Sequence, residues 1–314
     1  MSWKVLVSAT YVQDVLDRFR ALFEEHQVEL VVPEVEERLS EEELLRWVAD
    51  IDGAICGDDR FSERVLRAAP RLKVISKWGT GIDSIDLEAC ERRGIVVCNT
   101  PDAFTHPVAD TVLGYILCFA RNLPWLHRAM QQGLWQKTQD RALRECTLGV
   151  IGVGNIGKAV VHRAVAFGMR VLGNDRVEMP GRFLDATGIE MVSKEELLRQ
   201  SDLITLNCDL NPTSYHLIDS ATFQLTKPSA VIINTARGPV IDEPALINAL
   251  QAGRIGGAGL DVFEEEPLPD DSPLRRMDNV LLGPHNANSS PEAWERVHQS
   301  TIRNLLEVLQ GAEG

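Results

Sequence analysis

At 314 residues the chain is long enough for two domains, and a composition of 44% apolar and 25% charged residues is that of a globular protein. No run of about 18 apolar residues occurs, which excludes a helical membrane span on length. The formal charge of −14 argues against nucleic acid or an anionic membrane surface as a partner, and an anionic substrate would need a locally positive pocket.

The opening "MSWKVLVSAT" carries one lysine and a short apolar run, and it reads as a first strand, not a signal peptide. From there short β-branched runs at 4–8, 28–32, 53–56, 73–76 and 95–98 alternate with helical spacing at 12–25, 41–49, 62–69 and 86–93. Ser40 followed by Glu43 is a capping-box start for the second of these helices. A segment from about 106 to 133 reads as one long helix. The alternation then restarts, with strands at 147–151, 170–174, 203–206, 230–234, 257–260 and 279–282 and helices at 156–167, 195–200, 242–252 and 291–310. Strict alternation predicts parallel sheets covered on both faces, in two α/β units in series. The last helix, after a loop near 286, could return to the first unit. Cys56, Cys90, Cys98, Cys118, Cys146 and Cys208 are scattered, with no Cys-x-x-Cys and no zinc-ligand spacing. Reduced thiols in a cytoplasmic protein without a bound metal are the expectation.

The most specific motif is "TLGVIGVGNIGKAV", in which Gly152, Gly154 and Gly157 follow a strand and open a helix. The first glycine permits a tight turn, the second a close backbone approach to a pyrophosphate, and the third helix-on-strand packing. The helix N-terminus offers unpaired N–H groups to the phosphates. Asp175 ends the next strand 18 residues after Gly157, where a carboxylate would grip the adenosine ribose and repel a 2′-phosphate. NAD is therefore expected over NADP, with Arg176 as the one feature that could shield an added phosphate.

Three more stretches sit at predicted strand ends: Arg237 in "VIINTARGPVID", Asp261 and Glu266 in "GAGLDVFEEEP", and His285 in "VLLGPHNANSS". Singly they read as a surface cation, loop acids and a loop histidine. Together they supply the parts for hydride transfer at a carbonyl. A guanidinium holds a carboxylate bidentately, a histidine exchanges the hydroxyl proton, and a carboxylate against the far ring nitrogen favours the imidazolium and sets the tautomer.

With "SKWGTGIDSIDL" (76–87), "NTPDAFTHPVAD" (99–110), "GVIGVGNIG" (149–157), "NTARGPVID" (234–242), "LDVFEEEP" (260–267) and "GPHNAN" (283–288) in this order, the chain resembles the D-isomer-specific 2-hydroxyacid dehydrogenase family, phosphoglycerate dehydrogenases included, over essentially its full length. The resemblance implies a flavodoxin-like substrate-binding domain of residues 1–98 plus 287–314. It implies a Rossmann NAD-binding domain of 99–286, with a helical dimerisation arm near 100–145. It implies Arg237 as carboxylate binder, His285 as acid/base and Glu266 as its partner. Cofactor contacts would come from Gly152, Gly154, Asn155, Ile156, Gly157, Asn207, Cys208, Thr235, Ala236 and His285, with Asp175 at the ribose and Asp261 at the nicotinamide carboxamide. Lys77, Trp78 and Gly79 would close on the substrate from the other domain. Trp135 and Lys137 lie where some members reach a partner's active site, or they pack and solvate the arm.

A glutamate at 266 favours hydroxyacid over formate chemistry. Asn286, Asn288, Asp209 and Tyr215 depart from the family's usual pattern, which bears on substrate identity and not on reaction class. The chain ends soon after the last helix, so serine feedback through a C-terminal regulatory domain is not expected. Lys77, Arg60 and Lys137 could receive a phosphate, which would suit D-3-phosphoglycerate, although Asp58 and Asp59 directly precede Arg60. Glyoxylate or hydroxypyruvate reduction is the alternative within the class, and an NAD-responsive corepressor or scaffold is the alternative outside it.

Overall fold

The computed structural model describes residues 2–312; residues 1, 313 and 314, which fall inside the boundaries expected for the substrate domain, lie outside the described residues. The chain divides into two units, one ending at Phe104 and resuming at Ser290, the other spanning Thr105–Ser289.

In the first unit β1 (Trp3–Val7), β2 (Val28–Val31), β3 (Gly53–Cys56), β4 (Val74–Lys77) and β5 (Val96–Cys98) form one parallel sheet in the order β2-β1-β3-β4-β5. β3 and β4 are buried along their whole length, as central strands covered on both faces must be. The strand order reverses between β1 and β3, which places this unit's ligand crevice at the carboxyl ends of those strands. The final helix, Pro291–Gly311, covers the sheet: Val297, Ile302, Leu305 and Leu309 are buried at helical spacing. The contact is tight, since a Cβ on Gly53 would come within 2.9 Å of Leu305 Cδ1, and the Ser76 hydroxyl donates to the Thr301 carbonyl at 2.7 Å. The Ser40–Glu43 capping box forms, but its helix stops at Leu44 and a separate turn, Val48–Asp50, follows. The segment expected as one helix over 12–25 is likewise broken into Thr10–Gln13, Leu16–Phe19 and Arg20–Glu25.

In the second unit β6 (Thr147–Ile151), β7 (Arg170–Asn174), β8 (Glu190–Met191), β9 (Leu203–Leu206), β10 (Val231–Asn234), β11 (Gly257–Leu260) and β12 (Val280–Leu282) run parallel in the order β12-β11-β10-β9-β6-β7-β8. Here the order reverses between β6 and β9. The long helix expected over 106–133 is two helices, Thr105–Ala120 and Leu123–Gln131. Asn122 takes a left-handed conformation, φ 52°, and Pro124 in the first turn of the second helix has no N–H with which to extend the ladder of the first. Beyond this break Leu123, Met130, Leu134 and Trp135 stand exposed, Trp135 at 79%. Among the described residues no helix is long and apolar enough to cross a membrane, and no group of His, Cys, Asp or Glu is arranged to hold a metal ion.

Candidate active site

The glycine loop follows β6 at the reversal point. Gly152 has φ +86°, and a Cβ there would stand 2.7 Å from the backbone of Asn207 and Cys208, which follow β9. At Gly157 a Cβ would stand 2.1 Å from the Gly152 carbonyl, so helix Asn155–Ala166 sits on the loop with no space for a side chain. At Gly154 nothing lies within 4 Å of such a Cβ. Two glycines are thus required by internal packing, and the middle one faces open space at a helix N-terminus, the arrangement that admits a pyrophosphate. Asp175 follows β7, and its two carboxylate oxygens accept the N–H groups of Val153 at 2.6 Å and Val177 at 2.9 Å. Its position is therefore tied to the glycine loop. Arg176 donates to the Thr213 hydroxyl at 3.0 Å. Burial pushes the Cys208 thiol up to about 11, so it is a neutral packing group beside the loop. Thr235 Oγ1 is buried with no hydrogen-bond partner among the described residues, an orphan polar atom that suits a cofactor crevice. The glycine cradle, the ribose-side carboxylate and this hydroxyl all fit a dinucleotide.

Arg237, Glu266 and His285 follow β10, β11 and β12, which are neighbours in the sheet. Asn234 shapes the turn that presents Arg237: its Nδ2 donates to the Arg237 carbonyl at 2.9 Å and its Oδ1 accepts the Ala236 N–H at 3.1 Å. After that turn the chain is pressed onto the loop behind β11, since a Cβ on Gly238 would come within 1.8 Å of the Phe263 carbonyl oxygen. Glu266 is held from its own loop, accepting the Phe263 N–H on Oε1 at 2.9 Å, while Oε2 lies 2.9 Å from His285 Nδ1. With Nδ1 facing a carboxylate, Nε2 is the ring nitrogen left to work on substrate.

Asp261 organises the histidine loop. Its backbone carbonyl accepts the His285 N–H at 2.7 Å, and its carboxylate accepts the N–H groups of Asn286 at 3.1 Å and Ala287 at 2.7 Å. This holds His285 at φ 52°, a conformation uncommon outside glycine. Burial raises the Asp261 carboxyl, against the lowering effect of those two N–H groups. A carboxylate has about four acceptor positions, so a carboxamide contact is compatible with this anchoring role, which sequence spacing did not suggest. Two further residues were not legible. Asn234 had a signal in principle, an asparagine ending a buried apolar strand. His216 had none: its ring Nε2 lies 2.6 Å from Glu264 Oε1 and its N–H donates to the Pro239 carbonyl. It thereby ties the segment after Arg237 to the loop that carries Glu266.

Lys77, Trp78 and Gly79 belong to the other unit. Lys77 is 4% exposed, with its ammonium 3.0 Å from Asp58 and donating to the Trp78 carbonyl at 3.2 Å. Trp78 is buried, and Gly79 has φ +123°. Arg60 is exposed, as are Trp135 and Lys137.

The sequence profile described as D-isomer specific 2-hydroxyacid dehydrogenase, NAD binding domain, matches residues 113–287. A D-3-phosphoglycerate dehydrogenase of Methanocaldococcus jannaschii is 40% identical over 282 residues, 88% of this chain, although the chain spans only about half (53%) of that relative. A glyoxylate reductase of Thermofilum pendens is 38% identical over 279 residues, covering 87% of this chain and 82% of that one. Among solved structures, a D-lactate dehydrogenase from Aquifex aeolicus complexed with NAD and lactic acid superposes with a TM-score of 0.84 at 30% identity and covers 98% of both chains. The fold of two parallel α/β units agrees with these relatives, and the chain belongs to the D-isomer specific 2-hydroxyacid dehydrogenase family, whose cofactor is NAD.

Proposed function

We propose that the protein interconverts a D-2-hydroxy acid and its 2-oxo acid. The observation that carries this reading is the 2.9 Å contact between His285 Nδ1 and Glu266 Oε2 at the strand ends next to Arg237. Bound NAD supplies the hydride acceptor, and NADH the donor, at the nicotinamide C4. Arg237 holds the substrate carboxylate and opposes negative charge developing on the C2 oxygen. His285 gives a proton to that oxygen in reduction and takes it back in oxidation through Nε2, while Glu266 supports the imidazolium. Gly152, Gly154 and Gly157 with Asn155 and Ile156 hold the pyrophosphate, Asp175 the ribose, and Asn207, Cys208, Thr235 and Ala236 line the dinucleotide. Asp261 serves the carboxamide while fixing the histidine loop. The Thr105–Ser289 unit is read as the NAD-binding domain, and the other as the domain bringing Lys77, Trp78 and Gly79 to the substrate.

The protein is read as a homodimer through the exposed apolar segment around Leu123, Met130, Leu134 and Trp135. A cytoplasmic setting is supported by six free cysteines. The direct test is NADH oxidation against a panel of 2-oxo acids. Tight NADH binding with no turnover of any of them would overturn the dehydrogenase reading in favour of a cofactor-responsive binding protein.

A further inference from the structure

In the second unit the segment after β9 leads to Tyr215 and His216, two side chains that the reaction chemistry does not itself employ. Their rings stack, with centroids 4.0 Å apart at 17°. His216 holds φ 49°, a conformation that a residue other than glycine keeps only when its surroundings impose it. Its N–H donates to the Pro239 carbonyl at 2.8 Å, and its Nε2 lies 2.6 Å from Glu264 Oε1. Tyr215 is 58% exposed, and the His216 and Glu264 side chains are each 30% exposed. A polar contact this open to water contributes little to stability, so its consequence is orientation.

What Glu264 orients is the backbone of Phe263 beside it. The Glu264 N–H donates to Glu243 Oε2 at 3.0 Å, and its Oε1 accepts the Glu243 N–H at 3.4 Å, at the start of helix Glu243–Gln251. The Phe263–Glu264 peptide also lies directly against Gly238, with no room for a Cβ between them. Phe263 is buried in the core, and its own N–H is the group that holds Glu266 Oε1 at 2.9 Å. Glu266 Oε2 in turn faces His285 Nδ1. A chain of contacts therefore runs from His216 through Glu264, Phe263 and Glu266 to His285, and Gly238, next to Arg237, presses on its middle. Burial raises the Glu243 carboxyl, and repulsion from Glu264, Glu265 and Glu266 adds to it. A loop so crowded with like charge keeps its shape only with a partner, and His216 supplies a ring nitrogen to Glu264.

Resting on the 2-hydroxyacid dehydrogenase reading, we propose that Tyr215, His216 and Glu264 are positioning residues for that reaction. The Tyr215 ring steadies the His216 imidazole, the imidazole holds Glu264, and Glu264 sets the Phe263 backbone that aims Glu266 at His285.

The test is steady-state kinetics with NADH and the best 2-oxo acid, in variants made with and without Glu266→Gln. His216→Asn brings a side chain that tolerates the left-handed conformation but is too short to reach Glu264. It should lower kcat by roughly tenfold, since misplacing a reacting group by about 1 Å costs up to a hundredfold. KM for NADH and the thermal midpoint should stay close to wild type. His216→Gln, long enough to bring an N–H near the same point, should restore most of kcat. Tyr215→Ala, which removes the stacked ring, should lower kcat by roughly threefold. Glu264→Ala should match His216→Asn, and it takes over the test should the Asn variant misfold. With Glu266→Gln already present, adding His216→Asn should cost less than about twofold more, because the two act along one path. An equal loss in both backgrounds would overturn the proposal, as would a loss expressed in KM for NADH or full kcat in folded His216→Asn. Failure of the wild type to turn over any 2-oxo acid would instead overturn the dehydrogenase reading, and the proposal with it.

Discussion

Nδ1 of His285 and Oε2 of Glu266 lie 2.9 Å apart although nineteen residues separate them in the chain. Each side chain is held from its own loop, Glu266 by the Phe263 N–H and the His285 backbone by Asp261. The pair presets the orientation of the ring.

Replacing His285 by Ala should cut turnover by roughly 10²–10⁴-fold and leave NADH affinity, read by fluorescence titration, nearly intact. In Glu266→Gln the charge is gone while a hydrogen-bond partner remains. The expected result is a fall in kcat of roughly ten- to a hundredfold with NADH affinity unchanged, the loss of about one charged hydrogen bond. Steady-state kinetics that superpose on wild type would remove Glu266 from this role.

Arg237→Lys keeps the charge and loses the planar fork. With the turn still built by Asn234, the expected result is a fall in kcat/KM of roughly ten- to a hundredfold, the loss of about one charged hydrogen bond, expressed largely in KM. Steady-state kinetics on the best 2-oxo acid would show it, and an unchanged KM would contradict carboxylate binding at this residue.

Asp175 accepts the Val153 N–H at 2.6 Å, so Asp175→Ala should do two things. It should weaken NADH by loosening the glycine loop, and it should narrow the NADH-to-NADPH ratio of kcat/KM by removing the charge that repels a 2′-phosphate. Measuring both cofactors separates the effects; a ratio that stays at the wild-type value would mean that selectivity resides elsewhere.

Asp202 gives a pH-dependent stability test. Burial disfavours its charge, yet hydrogen bonds from Arg141, the Thr147 N–H and Lys227 outweigh this and hold the carboxyl at about 2. A depressed folded-state value means that the stabilisation is fully present above the unfolded value near 4 and is lost as pH falls through about 2. Asp202→Asn should therefore be less stable than wild type by about 2 kcal/mol at neutral pH. In urea denaturation the gap should hold down to about pH 5 and shrink by about half at pH 3. A gap that does not change over this range would exclude the linkage.

The exposed segment carrying Leu134 and Trp135 should be covered by a second copy. Leu134→Ser with Trp135→Ser is expected to halve the mass seen by light scattering at micromolar concentration. A monomeric wild type would dispose of the arm as an interface.

Periodicity made the alternating strands and helices legible, because a parallel strand buried on both faces is a short continuous apolar run, as in "AVIIN" or "GAIC". It failed where local chemistry interrupts a helix, at Asn122 and Pro124, and where a helix ends early, at Leu44. The glycine loop was legible because its reasons are local: two glycines are excluded from bearing a side chain by their neighbours, and the third faces open space. The second function of Asp261, the Asn234 turn and the His216–Glu264 tie were not legible, since each depends on a partner brought close by another strand or loop.

By itself the sequence determined the class of fold, the dinucleotide loop and the identity of an arginine, a glutamate and a histidine at three strand ends. Those features are written in residue type and short spacing, and the chemistry of a side chain does not depend on where the chain carries it. Only the tertiary structure decided which groups meet. The strand order β12-β11-β10 lines up the three strand ends, and backbone N–H donors aim Glu266 and the histidine loop. The folded chain also spends Lys77 on Asp58 and sets Tyr11 and Trp294 around Trp78. Such contacts join residues up to hundreds of positions apart, and no local rule of spacing contains them.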